Sequence, residues 1–404
     1  MSAVGNRIVS KEGELTWAAL PMLDLPSPAV VLVDSAEQAL AVARWHALSK
    51  AEMLLAAAPR VDDEMCADLR ADGFAIVRWA DGAPVVENEP ARPSEPERLW
   101  LLTSGSTGRP KRVAHTVASL TTVHGLQAPR VWLCAYSPGT YAWWQMVTLS
   151  MAHPDQHLVV VDQSDLDTWP EFAARHGVTA ASGTPTFWRR TIHQDVDALS
   201  RVPFEQITLG GEPVDQAILD HLTGLFPSAR ISWIYASSEV GASIVVHDGR
   251  AGFPVDWLDK PRAEGVTLSV AEDELLIESP HRAAGMDQVV RTGDRVRIVD
   301  GRVHIVGRLG SDEINVGGVK VSAGAVRDVL NSHPGVVWAR VSARRAPLVG
   351  HMVVAEVVRG PQAPDLDEAD VVAWCAARLD ESAVPRLIRF LDRVPVKETL
   401  KSDT

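Results

Sequence analysis

One feature limits what this chain can fold into more than any other: an apolar strand that stops abruptly in a loop of glycines and hydroxyls. Residues 100–113 read WLLTSGSTGRPKRV, so the strand runs into Thr103-Ser104-Gly105-Ser106-Thr107-Gly108 and then Arg109-Pro110-Lys111. Glycines let the backbone fold back and present several N–H groups to one point. The hydroxyls of Thr103, Ser104, Ser106 and Thr107 add contacts, and Lys111 supplies positive charge. This is the chemistry of a polyphosphate site at the end of a strand. It is not a Walker loop, because no Gly-Lys-Ser/Thr follows at the right offset.

The rest of the chain supplies a fold in which such a loop can sit. Residues 29–33 (AVVLV) read as a strand, Asp34-Ser35 as a cap and residues 36–50 as a helix. A helix is expected at 62–72 and a strand at 74–77, followed by the Pro- and Glu-rich stretch 83–98, which reads as a surface linker or domain-joining strap. Strands at 98–102, 157–162, 206–211 and 230–236 then alternate with helical stretches, among them 213–225 with Pro213 near its first turn. From about residue 265 the texture becomes short strands, including a hairpin turning at Asp300-Gly301. Beyond Arg308 a smaller unit follows, with helices at 323–332 and 366–380 and strands near 336–342 and 352–358. The fold class is therefore α/β: a large N-terminal domain of helix-covered β-sheets, 1–308, plus a small α+β C-terminal domain, 309–404. Within the large domain the expected parts are 1–82, the linker 83–98 and a ligand-binding core, 99–308. Ligands of such folds collect at the C-terminal ends of strands.

Composition narrows the function classes. A formal net charge of −13 argues against a nucleic-acid binder, which needs a basic surface. No run approaches the roughly 20 apolar residues of a membrane span, and the N-terminus lacks the pattern of a secretory signal. Cys66, Cys134 and Cys375 lie far apart, without metal-ligand spacing, and read as reduced core thiols. A cytoplasmic location is expected.

The loop resembles the signature of the adenylate-forming superfamily of acyl-CoA synthetases, adenylation domains and luciferases, T-S-G-[ST]-T-G-x-P-K, and TSGSTGRPK matches every defined place. Further segments follow in the family's order. Gly210-Gly211-Glu212 looks like the adenine-side strand end. Ile234-Tyr235-Ala236-Ser237-Ser238-Glu239 is similar to Y-G-x-T-E, with Ala236 for Gly and Ser238 for Thr. The resemblance implies that Tyr235 flanks adenine, Ser238 contacts phosphate and Glu239 holds Mg²⁺. Arg291-Thr292-Gly293-Asp294 matches T-G-D, whose carboxylate would accept both ribose hydroxyls. Residues 307–321, GRLGSDEINVGGVKV, resemble the family's hinge and lid opening; Arg308 would contact ribose or phosphate. Gly310 stands where the family has Asp or Lys and is the expected pivot. Near the C-terminus, Pro395 and Lys401 keep the spacing of P-x-T-x-x-G-K, while Lys397 and Leu400 replace its Thr and Gly. Lys401 would bridge the substrate carboxylate and the α-phosphate; Lys397 is the second candidate. The resemblance covers about three quarters of the chain, from residue 98 to the end.

The implied reaction is attack of a carboxylate on MgATP to give acyl-AMP and pyrophosphate, with Lys401 and Glu239 as the catalytic residues. No general base is required, because a carboxylate is already ionised at neutral pH; the thirteen histidines are discounted as catalysts. The resemblance further implies a swing of the lid that opens a channel, lined by Gly317, Gly318 and Lys320, for the thiol of coenzyme A or of a carrier protein. Trp143 or Trp144, in TYAWWQ (140–145), would wall the acid pocket with Thr184 and Gly210, core packing being the other reading of those indoles. Bulky walls favour a small aromatic or short aliphatic acid. An amine acceptor, or a nucleotide-binding member without turnover, are the alternatives. The N-terminal part looks shortened for this family, and the surface so exposed could be covered in a homodimer.

Overall fold

A computed structural model describes residues 3–103, 110–262, 265–310, 312–346, 350–397 and 399–402. Among the described residues the strands form four sheets. In the first, strands Ala29–Val33, Met53–Ala57, Ala75–Ala80 and Leu99–Thr103 lie parallel, with Ala83–Val86 and Lys111–His115 antiparallel on the edges. The five residues of Ala29–Val33 are buried, as expected for a parallel strand covered on both faces. The second sheet has eight strands. Its parallel centre runs through Arg230–Ser237, Gln206–Gly210, Ala180–Gly183, Arg130–Cys134 and Gln156–Val160, and Arg7–Ser10 extends it. That N-terminal strand, four residues long, carried too short an apolar pattern to be read from sequence. A third, antiparallel sheet contains Thr267–Ala271, Glu274–Glu278, Val289–Val299 and Arg302–Arg308. Its hairpin turns where expected, with Asp300 and Gly301 both at positive φ (49° and 72°).

The fourth sheet belongs to the C-terminal unit. It pairs Val336–Ala346 with Gly350–Arg359, adds Leu387–Leu391 in parallel and the hairpin Glu313–Val316/Val319–Ser322, and is covered by helices Ala323–Asn331 and Glu368–Ala376. Two hydrophobic cores follow this division. The large one draws its buried residues from Ile8 to Val303, plus Leu400; the smaller runs from Ile314 to Ile388.

Two sequence expectations change. The Pro/Glu-rich stretch 83–98 does not join domains, because the strands before and after it lie in the same six-stranded sheet. Part of it is the strand Ala83–Val86, and the remainder is fastened to that sheet. Arg92 donates to both oxygens of Glu52 (2.9 and 2.5 Å), the Glu95 N–H donates to it (2.7 Å), and Trp100 Nε1 closes the set (2.8 Å). Glu52 is fully buried, so four donors compensate a charge that would otherwise be very costly inside. The helix expected over 213–225 begins at Gln216, capped by the Asp215 carboxylate, which leaves Pro213 outside it.

All three cysteines are buried and unpaired; burial pushes the Cys134 thiol up to about 12. Among the described residues no helix is long and apolar enough to cross a membrane.

Candidate active site

The strand ends of the second sheet build the site. Gln206–Gly210 delivers Gly211 and Glu212; Arg230–Ser237 delivers Tyr235, Ser238 and Glu239; Ala180–Gly183 delivers Thr184. A register shift between Tyr235 and Ala236 bends the strand just before Ser238 and Glu239. Bulges of this kind re-aim side chains beside functional sites.

Lys401 comes into this group from the far end of the sequence. A Cβ added to Gly211 would lie 3.2 Å from Lys401 Cε and 3.8 Å from its Nζ, and Gly211 itself sits at φ +81°. Backbone conformation favours glycine there, and a Cβ would press on the lysine that lies over it. Desolvation lowers the Lys401 pKa below the ordinary lysine value; Glu212 acts against that fall, and Glu239 and Asp294 also act against it. The residue keeps solvent access while its ammonium is crowded by protein. Lys397, the second candidate, is exposed, and its backbone N–H donates to the Lys401 carbonyl (2.8 Å).

Asp294 lies on the third sheet, paired opposite Arg308. The Tyr235 hydroxyl donates to its Oδ2 (2.5 Å) and Arg308 Nε lies 3.1 Å from its Oδ1. Burial raises the Asp294 pKa, and that of Tyr235 is pushed well above its usual value, first by burial and then by the Asp294 charge. Both carboxylate oxygens are thus already partnered, but a carboxylate has about four lone-pair sites, so each can take a second donor such as a ribose hydroxyl.

For a divalent cation, the donor set matters. Among the described residues no group of three or more His, Cys, Asp or Glu side chains could hold a metal. A single carboxylate at Glu239 fits Mg²⁺ shared with nucleotide phosphates, which is how this ion is commonly held, and does not fit an all-protein cage.

Ser104, Gly105, Ser106, Thr107 and Gly108 lie outside the described residues. Their flanks are paired: Thr103 faces Lys111 across the hairpin, and its hydroxyl meets the Lys111 carbonyl at 3.4 Å. The acid-pocket candidates divide. Trp143 and Trp144 are 1% and 0% exposed, lie edge to face in the large core, and Trp144 neighbours His46. Thr184 caps the helix Pro185–Ser200 and bonds the Leu400 carbonyl. Gly210 brings its Cα so near the Ile234 carbonyl that a Cβ would sit 3.1 Å from it. Gly317 and Gly318 form the exposed turn of a lid hairpin, and Lys320 pairs with Glu313 at 3.1 Å. Those three thiol-channel candidates therefore belong to a surface hairpin, apart from the residues gathered at Lys401. Gly310 has φ +83°, a conformation other residues rarely adopt.

Several contributors were not read from sequence. His115 is buried and donates through Nε2 to the Ser238 carbonyl (2.7 Å), while its Nδ1 meets Ser119 Oγ (2.9 Å); it fixes the turn that bears Glu239. Asp312 accepts from the Arg308 N–H (2.7 Å) and lies where a Cβ on Gly307 would clash. Glu274, 4% exposed, accepts from the Gly293 N–H (2.9 Å) and holds the Thr-Gly-Asp turn. His115 and Glu274 reach backbone groups far along the chain, at Ser238 and Gly293, whereas Asp312 reaches back only to Arg308.

A family model described as AMP-binding enzyme matches residues 21–286, and one described as AMP-binding enzyme C-terminal domain matches residues 326–401. The chain is 28% identical over 360 residues to the N-(5-amino-5-carboxypentanoyl)-L-cysteinyl-D-valine synthase of Amycolatopsis lactamdurans, covering 75% of this chain and 10% of that protein. It is 24% identical over 409 residues to the benzoate–CoA ligase of Thauera aromatica, covering 92% of this chain and 76% of the relative. The chain thus spans only a tenth of the first relative's length and about three quarters of the second's. In overall shape it is similar to the crystal structure of the anthranilate CoA ligase AuaEII in complex with anthranoyl-AMP, with a TM-score of 0.71 at 16% identity, covering 98% of this chain and 92% of the other. At that identity the likeness speaks for the fold alone.

Proposed function

We infer that this chain, which belongs to the AMP-binding, adenylate-forming enzyme family, activates a small carboxylic acid as its acyl-AMP and passes the acyl group to the thiol of coenzyme A. The observation that carries the first step is Lys401, brought from the C-terminal tail to Gly211, within the fields of Glu212, Glu239 and Asp294. Two anions must meet when a carboxylate attacks the α-phosphorus, so the protein's task is positioning and neutralisation of charge. Lys401 supplies a cation at that junction. Its lowered pKa reflects a desolvated ammonium, which is worth more to an incoming anion than one in bulk water. Asp294, steadied by Tyr235 and Arg308, orients the ribose. Thr103, the 104–109 loop and Lys111 receive the leaving pyrophosphate. Mg²⁺, held by Glu239 and the phosphates, would neutralise the polyphosphate when bound.

A small acid, aromatic or short aliphatic, suits a site whose inner end is crowded by Thr184, Gly211 and the tail. Similarity to a benzoate–CoA ligase over 92% of the chain supports the aromatic choice and the thiol acceptor. Pyrophosphate release from ATP, measured over a panel of carboxylic acids, tests the first step. Adding coenzyme A or hydroxylamine tests the second. A thioester with coenzyme A is expected; hydroxamate without thioester would move the acceptor to a carrier-protein thiol or an amine. No acid-dependent release at all would leave a nucleotide-binding protein without turnover.

A further inference from the structure

Lys401 is held in place by its neighbours in sequence on both sides. Leu400 is 0% exposed, and among the described residues it is the one fully buried side chain beyond Val303 in the large domain's core. Val394 and Val396, a few residues earlier, pack instead with Trp338 and Val358 of the lid. The tail therefore leaves one hydrophobic core and enters another within the space of about six residues. Leu400 does so at φ +61°, a left-handed conformation that L side chains avoid. Such a residue persists where its surroundings over-determine it. Here they do: the Thr184 hydroxyl donates to the Leu400 carbonyl, and the Leu400 N–H donates to the Lys397 carbonyl (2.9 Å). On the other side of Lys401, the Ser402 N–H and hydroxyl both donate to Glu212 Oε1 (2.9 and 3.2 Å). Glu212 Oε2 accepts from the Thr186 N–H (3.0 Å), so one carboxylate ties the tail to the start of the helix Pro185–Ser200.

We propose that Leu400 is an apolar anchor and Glu212 a clamp, a pair of positioning residues that seat the tail so that Lys401 lies over Gly211. This rests on the adenylation reading, in which the lysine serves the first half-reaction. A glycine at position 400 would take the left-handed conformation without strain but would bury nothing. The leucine accepts the strain and adds a hydrophobic attachment between tail and large domain. The pose that serves acyl-AMP formation is thereby the resting one, and withdrawal of the tail requires Leu400 to leave the core.

The test compares Leu400→Ala, Leu400→Gly, Leu400→Met and Glu212→Gln in the full chain, by hydrogen exchange of residues 395–402 without ligand and by steady-state pyrophosphate release. Leu400→Ala and Leu400→Gly are expected to speed exchange of the tail and to lower kcat by roughly 10²-fold, the scale of truncating a buried leucine. KM for ATP should move far less than kcat. Leu400→Met, which keeps an apolar side chain of similar volume, should stay within about threefold of the parent. Glu212→Gln should speed exchange at Ser402 and lower kcat in the same sense. Unchanged exchange in the strand Gln206–Gly210 certifies that each variant is folded. A Leu400→Gly protein as protected and as active as the parent would overturn the anchor, since backbone conformation alone would then suffice. If the parent releases no pyrophosphate with any acid, the adenylation reading falls, while tail exchange in Leu400→Ala still decides the anchor by itself.

Discussion

Glu52 and Glu212 each fasten a stretch of chain to a sheet, but with different partners. Glu52 is fully buried and holds the 83–98 strap through a guanidinium fork, a backbone N–H and an indole. Burial alone would raise its pKa; Arg92, the Glu95 N–H and Trp100 together hold it below the usual carboxylate value. Glu212 is half-buried and holds the tail through neutral donors, two of them from Ser402. A charged, desolvated pair is costly to separate, because each partner is left uncompensated. Neutral donors at a partly wet site can be exchanged for water at little net cost. The first arrangement suits a strap held permanently, the second a tail that can be released at small cost.

Four measurements can break or sharpen that contrast. The largest effect is expected from Lys401→Ala, which removes the cation at the reacting junction and should lower acid-dependent pyrophosphate release by roughly 10²–10³-fold, whereas Lys397→Ala should leave most of it. Unchanged release in Lys401→Ala would remove that residue from the chemistry. Glu52→Ala should cost about 3 kcal/mol of unfolding free energy, read from denaturant melts, because Arg92 and Trp100 lose their acceptor. A loss below about 0.5 kcal/mol, the usual reach of a surface change, would mean that the strap is held by something else.

The acid limb of stability tests the same strap region. His46 is buried, its Nδ1–H donating to the Ala51 carbonyl at 2.8 Å, and desolvation lowers its pKa from 6.5 to about 4. The folded state therefore binds fewer protons than the unfolded one between those values. Stability is present above pH 6.5 and is lost as pH falls toward 4, by about 3 kcal/mol. Replacing His46 by Asn should flatten that limb in a pH series of melts. The smallest effect belongs to the reversible clamp: Ser402→Ala removes one of the two Ser402 donors to Glu212 and should lower kcat about threefold, the worth of one modest hydrogen bond, with the melting temperature unchanged.

The strands and the Asp300-Gly301 turn follow from period and turn residues, and the family follows from TSGSTGRPK and the segments that come after it in order. How the 83–98 stretch is fastened was not legible, because its Pro/Glu composition carries no sign of Glu52, some forty residues away. His115 and Glu274 escaped for the same reason: each is an ordinary residue until folding places it on a distant backbone group.

Leu400 marks the boundary between the two kinds of knowledge. The sequence by itself determined the family and the two-part α/β architecture, because those rest on short-range patterns. It presented Leu400 only as a departure from glycine. That the departure is a core residue of the other domain, at φ +61° and beside Thr184, was decided by tertiary structure. Burial is a property of what surrounds a side chain, and this one joins a core drawn from Ile8 to Val303, with Thr184, more than two hundred positions away, on its carbonyl.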